Sequence, residues 1–113
     1  MTIESQVETL EISITQAKKY VDKLNSVMNL LKNKDFNEFI EEGYFKQEAS
    51  RLVLLKADPA MQKPEDQAAI IRSIDAIGAF RQYISNTIQM GRMMEKSMQE
   101  DEVTRDELLM ESE

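Results

Sequence analysis

Residues 3–31 read IESQVETLEISITQAKKYVDKLNSVMNLL, and the spacing of their apolar side chains decides the fold class. Ile3, Val7, Leu10, Ile14, Ala17, Val21, Leu24, Met28 and Leu31 alternate steps of four and three without a break. A 3.5-residue repeat held this long is the pattern of a coiled-coil seam, so the stretch is helix. Val7, Ile14, Val21 and Met28 take one set of seam positions, and Ile3, Leu10, Ala17, Leu24 and Leu31 take the other. β-Branched residues in the first set with Leu in the second suit a parallel two-stranded coil. Ile12, Val27 and Leu30 widen the apolar face, which suits a long amphipathic helix packed inside its own chain. Both arrangements are open at this point.

Beyond Leu31 the pattern stops at Asn33-Lys34, and Asp35-Phe36-Asn37-Glu38 reads as a fresh start. Asp35 is placed to accept from the free N–H groups of a first turn, with Glu38 at the capping-box position. Phe36, Phe39 and Ile40 supply an apolar side, and Gly43 is expected to end or bend this piece. A second short helix is expected from about Tyr44 to Ala57. Asp58-Pro59 and Lys63-Pro64 bracket a connector, because proline lacks a backbone donor and disfavours helix in the residue before it. Pro64 suits the first position of a helix whose dipole Glu65 and Asp66 complement.

That last helix is expected to run from 64 to about 101. Ile70, Ile74, Ile77, Ile84, Ile88, Gly91 and Met98 fall on one stripe. Gly78 and Gly91 each cost roughly 1 kcal/mol against Ala in a helix interior, so both are expected to mark close approach at helix crossings, with a kink as the alternative. The expected fold is all-α: an elongated helical hairpin or bundle with two long helices (3–32 and 64–101) and one or two short ones within 36–57. Coiled-coil-like packing would hold it as a single domain over 1–101, followed by an acidic, flexible tail over 102–113. Helices this slender bury little surface alone, so a homo-oligomer is expected.

Composition narrows the chemistry. The 113 residues contain no cysteine and no histidine. Thiolate chemistry, disulfides, sulfur-ligated metals, the commonest general base and the commonest metal ligand are thereby removed. Glycines 43, 78 and 91 are isolated, so no phosphate-cradling loop exists. Glu41-Glu42 and Glu65-Asp66 are adjacent in sequence and diverge around a helix. A non-enzyme without metal or cofactor is the expectation. No apolar run approaches the ~20 residues of a membrane span, and MTIESQVETL carries acids where a secretory leader carries bases. A cytoplasmic chain with no membrane partner follows as the expectation.

The net charge of −7 is uneven. Residues 1–99 hold 14 acidic and 13 basic side chains, whereas residues 100–113 hold seven acids against Arg105 alone. Phosphate contacts need a basic surface, so direct nucleic-acid binding is disfavoured and a basic protein surface is the natural partner for the tail. Protein partners remain, including further copies of the chain. The candidate oligomer interface comprises Val7, Leu10, Ile14, Ala17, Val21, Leu24, Met28, Leu31, Ile77, Ile84 and Gly91. Candidate partner-binding residues are Met90, Met94 and Met98, whose side chains adapt readily to another surface, with Leu108, Leu109 and Met110 amid the acids. The methionines fit core filling as well, and the tail fits a solvated end that aids solubility.

From Leu54 to Gly91, the run LLKADPAMQKPEDQAAIIRSIDAIGAFRQYISNTIQMG resembles the later part of small helical proteins of tailed bacteriophages. The shared features are Leu55, Asp58-Pro59, Pro64, Ile74, Ile77-Gly78 and Gly91, covering about a third of the chain. The resemblance implies a virion-associated or assembly protein located in the host cytoplasm or the virion, and it carries no catalytic signature. Two functions are therefore weighed: an oligomeric structural or assembly protein, such as a virion component, scaffold or assembly chaperone, and an acidic regulatory binder or inhibitor of a basic nucleic-acid-binding or host defence protein.

Overall fold

The computed structural model describes residues 2–112, and among these every regular element is helical. The elements are α1 (Ile3–Leu31), α2 (Lys34–Phe36), a π-helical stretch (Asn37–Glu48), α3 (Ala49–Lys56), a 3₁₀ turn (Pro59–Met61) and α4 (Pro64–Glu111). The fold is all-α. Its contacts gather into two compact units, one joining the chain up to Val27 with the chain from Asn86 onward, the other spanning Met28–Ser85.

In the first unit α1 packs antiparallel on α4. Thr2 starts α1, its hydroxyl accepting from the Ser5 N–H at 3.0 Å. All nine seam residues of α1 point inward: Ala17, Val21 and Leu24 are buried and the other six are half-buried. The helix that covers the part of this seam lying in the unit is α4 of the same chain. Position 91 of α4 meets Tyr20 and Leu24, and Asp101 meets Ser13, so residue numbers rise along one helix as they fall along the other. This is the intrachain arrangement of the two that the spacing left open, and it is antiparallel.

Gly91 makes the approach possible. A Cβ built there would lie 2.5 Å from the Leu24 Cβ and 3.1 Å from the Tyr20 carbonyl oxygen. Gly78 differs from the expectation of close approach: nothing lies within 4 Å of a Cβ built at that position. Position 78 is one residue round the helix from buried Ile77 and faces outward.

The acidic stretch expected to fray from residue 102 is helical to Glu111. Two features account for the ten extra residues. Glu, Leu, Arg and Met are good helix formers, and Asp101, Arg105 and Leu108 extend the inward-facing spacing of α4, each half-buried.

The second unit is built on the start of α4. Asn33 opens the preceding helical run in an extended conformation (φ −79°, ψ 125°), and its side chain accepts from the Phe36 N–H at 2.9 Å. The cap expected at Asp35 therefore sits two residues earlier, and Asp35 lies in the first turn, where its charge favours the dipole. Asn is among the strongest N-cap residues, and here it alone has the extended backbone a cap requires.

The break expected at Gly43 does not occur. Phe36, Asn37, Glu48 and Ala49 all have right-handed helical angles, so the path is continuous from Lys34 to Lys56 and only the winding widens between 37 and 48. The apolar spacing explains the winding. Phe36, Ile40, the Tyr44–Phe45 pair and Ala49 recur every four to five residues and are all half-buried. At 3.6 residues per turn such a row drifts around the helix; the i→i+5 bonding of a π-helix keeps it on one side. Phe39, expected on the apolar side, is left 77% exposed. Gly43 suits the wide turn, since a Cβ there would stand 3.2 Å from the Glu38 carbonyl oxygen five residues back.

Leu52, Ile70 and Ile77 form the buried centre of this unit, with Tyr44, Phe45, Ala49, Leu55, Met61 and Ile74 packed around them. Phe80 closes one side against Tyr44 and Phe45, with ring centroids 6.3 and 5.5 Å away. Two glutamines seal the connector. Gln62 donates to the Lys56 and Asp58 carbonyls, and Gln67 donates to those of Lys56 and Met61. The carbonyls that a helix end leaves without partners are thus satisfied from the side chains.

Candidate protein-binding surface

A pair of helices has one shared seam and cannot enclose it. In the first unit the centre of that seam is dry, at Ala17, Val21, Leu24 and Gly91, while Ile3, Val7, Leu10 and Ile14 keep part of their surface in water. Beside this outer part lies an open groove lined by Gln6, Thr9, Leu10, Thr104 and Leu108. Leu10 and Leu108 supply its apolar surface, and the hydroxyl-bearing and amide side chains form its edge.

Antiparallel packing also brings together two acidic segments that are far apart in sequence. Glu4, Glu8 and Glu11 of α1 precede its first base, Lys18. Glu100, Asp101, Glu102, Asp106, Glu107 and Glu111 lie on the last turns of α4 with one base, Arg105. The Arg105 guanidinium is 3.2 Å from the Asp106 carboxylate. Asp101 is held inside the pair, accepting the Ser13 hydroxyl at 2.9 Å. Glu100, Glu107 and Glu111 stand three or four residues from the groove residues Thr104 and Leu108, which places them on the same helix face.

The second unit has its own outward apolar groove, lined by Phe45, Lys46, Ala49, Ser50, Val53 and Leu54. Val53 and Leu54 are 59% and 74% exposed, an unusual cost for aliphatic side chains in consecutive positions. Among the described residues no three potential metal ligands converge.

The residues singled out from the sequence divide as follows. Ala17, Val21, Leu24, Ile77 and Gly91 are buried within the chain itself. Val7, Leu10, Ile14, Met28, Leu31 and Ile84 are half-buried on inward faces. Met94, Met98 and Leu108 are half-buried along the α1-facing side of α4, whereas Met90, Leu109 and Met110 are exposed. The methionine stripe is therefore split between core and surface. Gln6, Thr9 and Thr104 were not legible as site residues. A partial signal exists on the α4 side: Thr87, Gly91, Met94, Met98, Asp101, Arg105 and Leu108 also alternate steps of four and three, a second seam hidden by its polar members, which places Leu108 but not Thr104 toward α1.

No protein-family model, curated protein or solved structure matches this chain. Among the described residues no helix is long and apolar enough to cross a membrane.

Proposed function

We propose that this chain is a non-catalytic structural or assembly protein that works through protein–protein contacts as a homo-oligomer. The observation that carries the reading is the apolar surface left uncovered on both units. Phe39 and Leu54 in one and Met110 in the other are 77%, 74% and 75% exposed. Leu54 lies with Val53 in the outward groove of its unit, and clustered exposed apolar side chains are what contact surfaces use. The phage likeness of residues 54–91 supports a virion component, scaffold or assembly chaperone. Size-exclusion chromatography with light scattering tests the oligomer. The expected result is a multimer that Leu54→Glu or Phe39→Glu shifts toward monomer with helicity retained. A stable monomer at micromolar concentration contradicts it.

A second reading has its own support. The convergence of nine acids and one base at the paired ends of α1 and α4 favours a regulatory binder of basic proteins.

A further inference from the structure

We infer that the groove between the start of α1 and the end of α4 receives one amphipathic helix of a partner protein, apolar on the docked side and carrying Lys or Arg along one flank. The inference rests on the protein-binding reading and names the partner's chemistry. Four observations lead to it.

The groove runs along two antiparallel helices, with Leu10 from one and Leu108 from the other. Two helices with a common apolar furrow accept a third as the simplest way to bury the remaining surface, which is helix-in-groove recognition. Its lining of one glutamine, two threonines and two leucines carries no charge to bury under an incoming helix. The two sides differ, however. On the α1 side Gln6, Thr9 and Ser13 are neutral, while on the α4 side Glu100 stands four residues before Thr104, Glu107 three after it, and Glu111 three after Leu108. A partner helix therefore meets acids on one flank only. Basic residues repeating every three or four positions on that flank match the row, and acids there are repelled.

The same charge pattern argues against a second copy in this groove. Like ends brought together would set Glu107 and Glu111 against themselves, with Arg105 engaged by Asp106 and Lys96, which lines the adjoining cleft with Glu100 and Thr104, about three helical turns before Glu107. The Ser13–Asp101 contact supplies a fixed polar stop beside the furrow.

The test uses the full chain and three labelled synthetic peptides followed by fluorescence anisotropy. One is a helix with Leu on one face and Lys on the other, the second has the same composition scrambled, and the third replaces Lys by Glu. The Leu/Lys helix is expected to bind with an affinity that falls as salt rises, and the other two to bind at least about tenfold more weakly. The triple variant Glu100→Gln, Glu107→Gln, Glu111→Gln removes three exposed charges and is expected to weaken binding roughly tenfold and flatten the salt dependence. Thr9→Arg, at an exposed position, is expected to weaken it as well by setting a cation in the furrow.

Equal binding of the scrambled peptide overturns the inference, because the acids alone would then account for it. Equal binding of the Leu/Glu helix, or no effect of the triple variant, overturns it too. So does a multimer that Thr9→Arg dissolves, for a second copy would then own the groove. Light scattering on the same samples separates this inference from the oligomer. A monomer that binds the Leu/Lys helix contradicts only the oligomeric reading, and a multimer that binds no peptide contradicts only the groove.

Discussion

Replacing two glycines of one helix by alanine should move stability in opposite directions. Both Gly78 and Gly91 lie inside α4, and alanine in a helix interior is favoured over glycine by roughly 1 kcal/mol. At position 78 nothing within 4 Å opposes that gain, so Gly78→Ala should stabilise by about 0.5–1 kcal/mol. At position 91 the new Cβ falls 2.5 Å from the Leu24 Cβ. Carbon atoms rest at about 3.5–4.0 Å, so the helices must part locally by an ångström or so. Neither atom can swing aside, because each Cβ is fixed to its own backbone. Parting exposes Ala17, Val21 and Leu24, now 4%, 8% and 5% exposed. Overpacking of this kind costs about 1–3 kcal/mol, leaving a net loss of up to about 2 kcal/mol after the helix gain. Urea titration and thermal melts followed by circular dichroism measure both variants. About 1 kcal/mol corresponds to a shift of ~4–8 °C in a domain this small. A Gly91→Ala protein that melts higher than the parent, as Gly78→Ala should, would refute the close approach of α1 and α4.

Leu52→Ala should cost about 2–4 kcal/mol by opening a cavity beside Ile70 and Ile77, whereas Val53→Ala, one residue away and exposed, should stay within ~0.5 kcal/mol. Ser13→Ala should lose roughly 1 kcal/mol by leaving the half-buried Asp101 carboxylate short of a donor. A double-mutant cycle with Asp101→Asn then reads the coupling, and additive losses would deny the contact a role. Asn33→Ala should cost about 1 kcal/mol as a lost cap, with Asp35→Ala costing less; the reverse order would return the cap to Asp35. A chain ended after Glu102 should lose helical ellipticity and melt lower, since Leu108 no longer lies beside Leu10; an unchanged melt would show the last turns to be dispensable.

Helix was legible wherever the apolar spacing matched a helical period. The α1 seam is legible residue by residue, and each of its nine members faces inward. The Ile70–Met98 stripe of α4 was equally plain, because each member is apolar or glycine and each is buried or half-buried. Three features escaped. The run from Phe36 to Ala49 has a period nearer to four and a half than to 3.6, which read as two helices with a break at Gly43. The end of α4 holds its inward places with Asp101 and Arg105, which by polarity look like solvent-facing residues. Asn33 is masked as a cap by Asp35, which carries the familiar Glu three residues on.

The candidate groove shows the division most clearly. Sequence alone determined that α1 is a helix with a continuous apolar edge, and that the last turns of the chain are acidic. Both follow from side-chain type and spacing, which act within a few residues. Only the tertiary structure decided which surface covers that edge, that Gly91 and not Gly78 marks the crossing, and that Glu4, Glu8 and Glu11 share one end with Glu100–Glu111. Those outcomes depend on residues roughly seventy to ninety positions apart meeting at contact distance, and a local period carries no record of what it will meet.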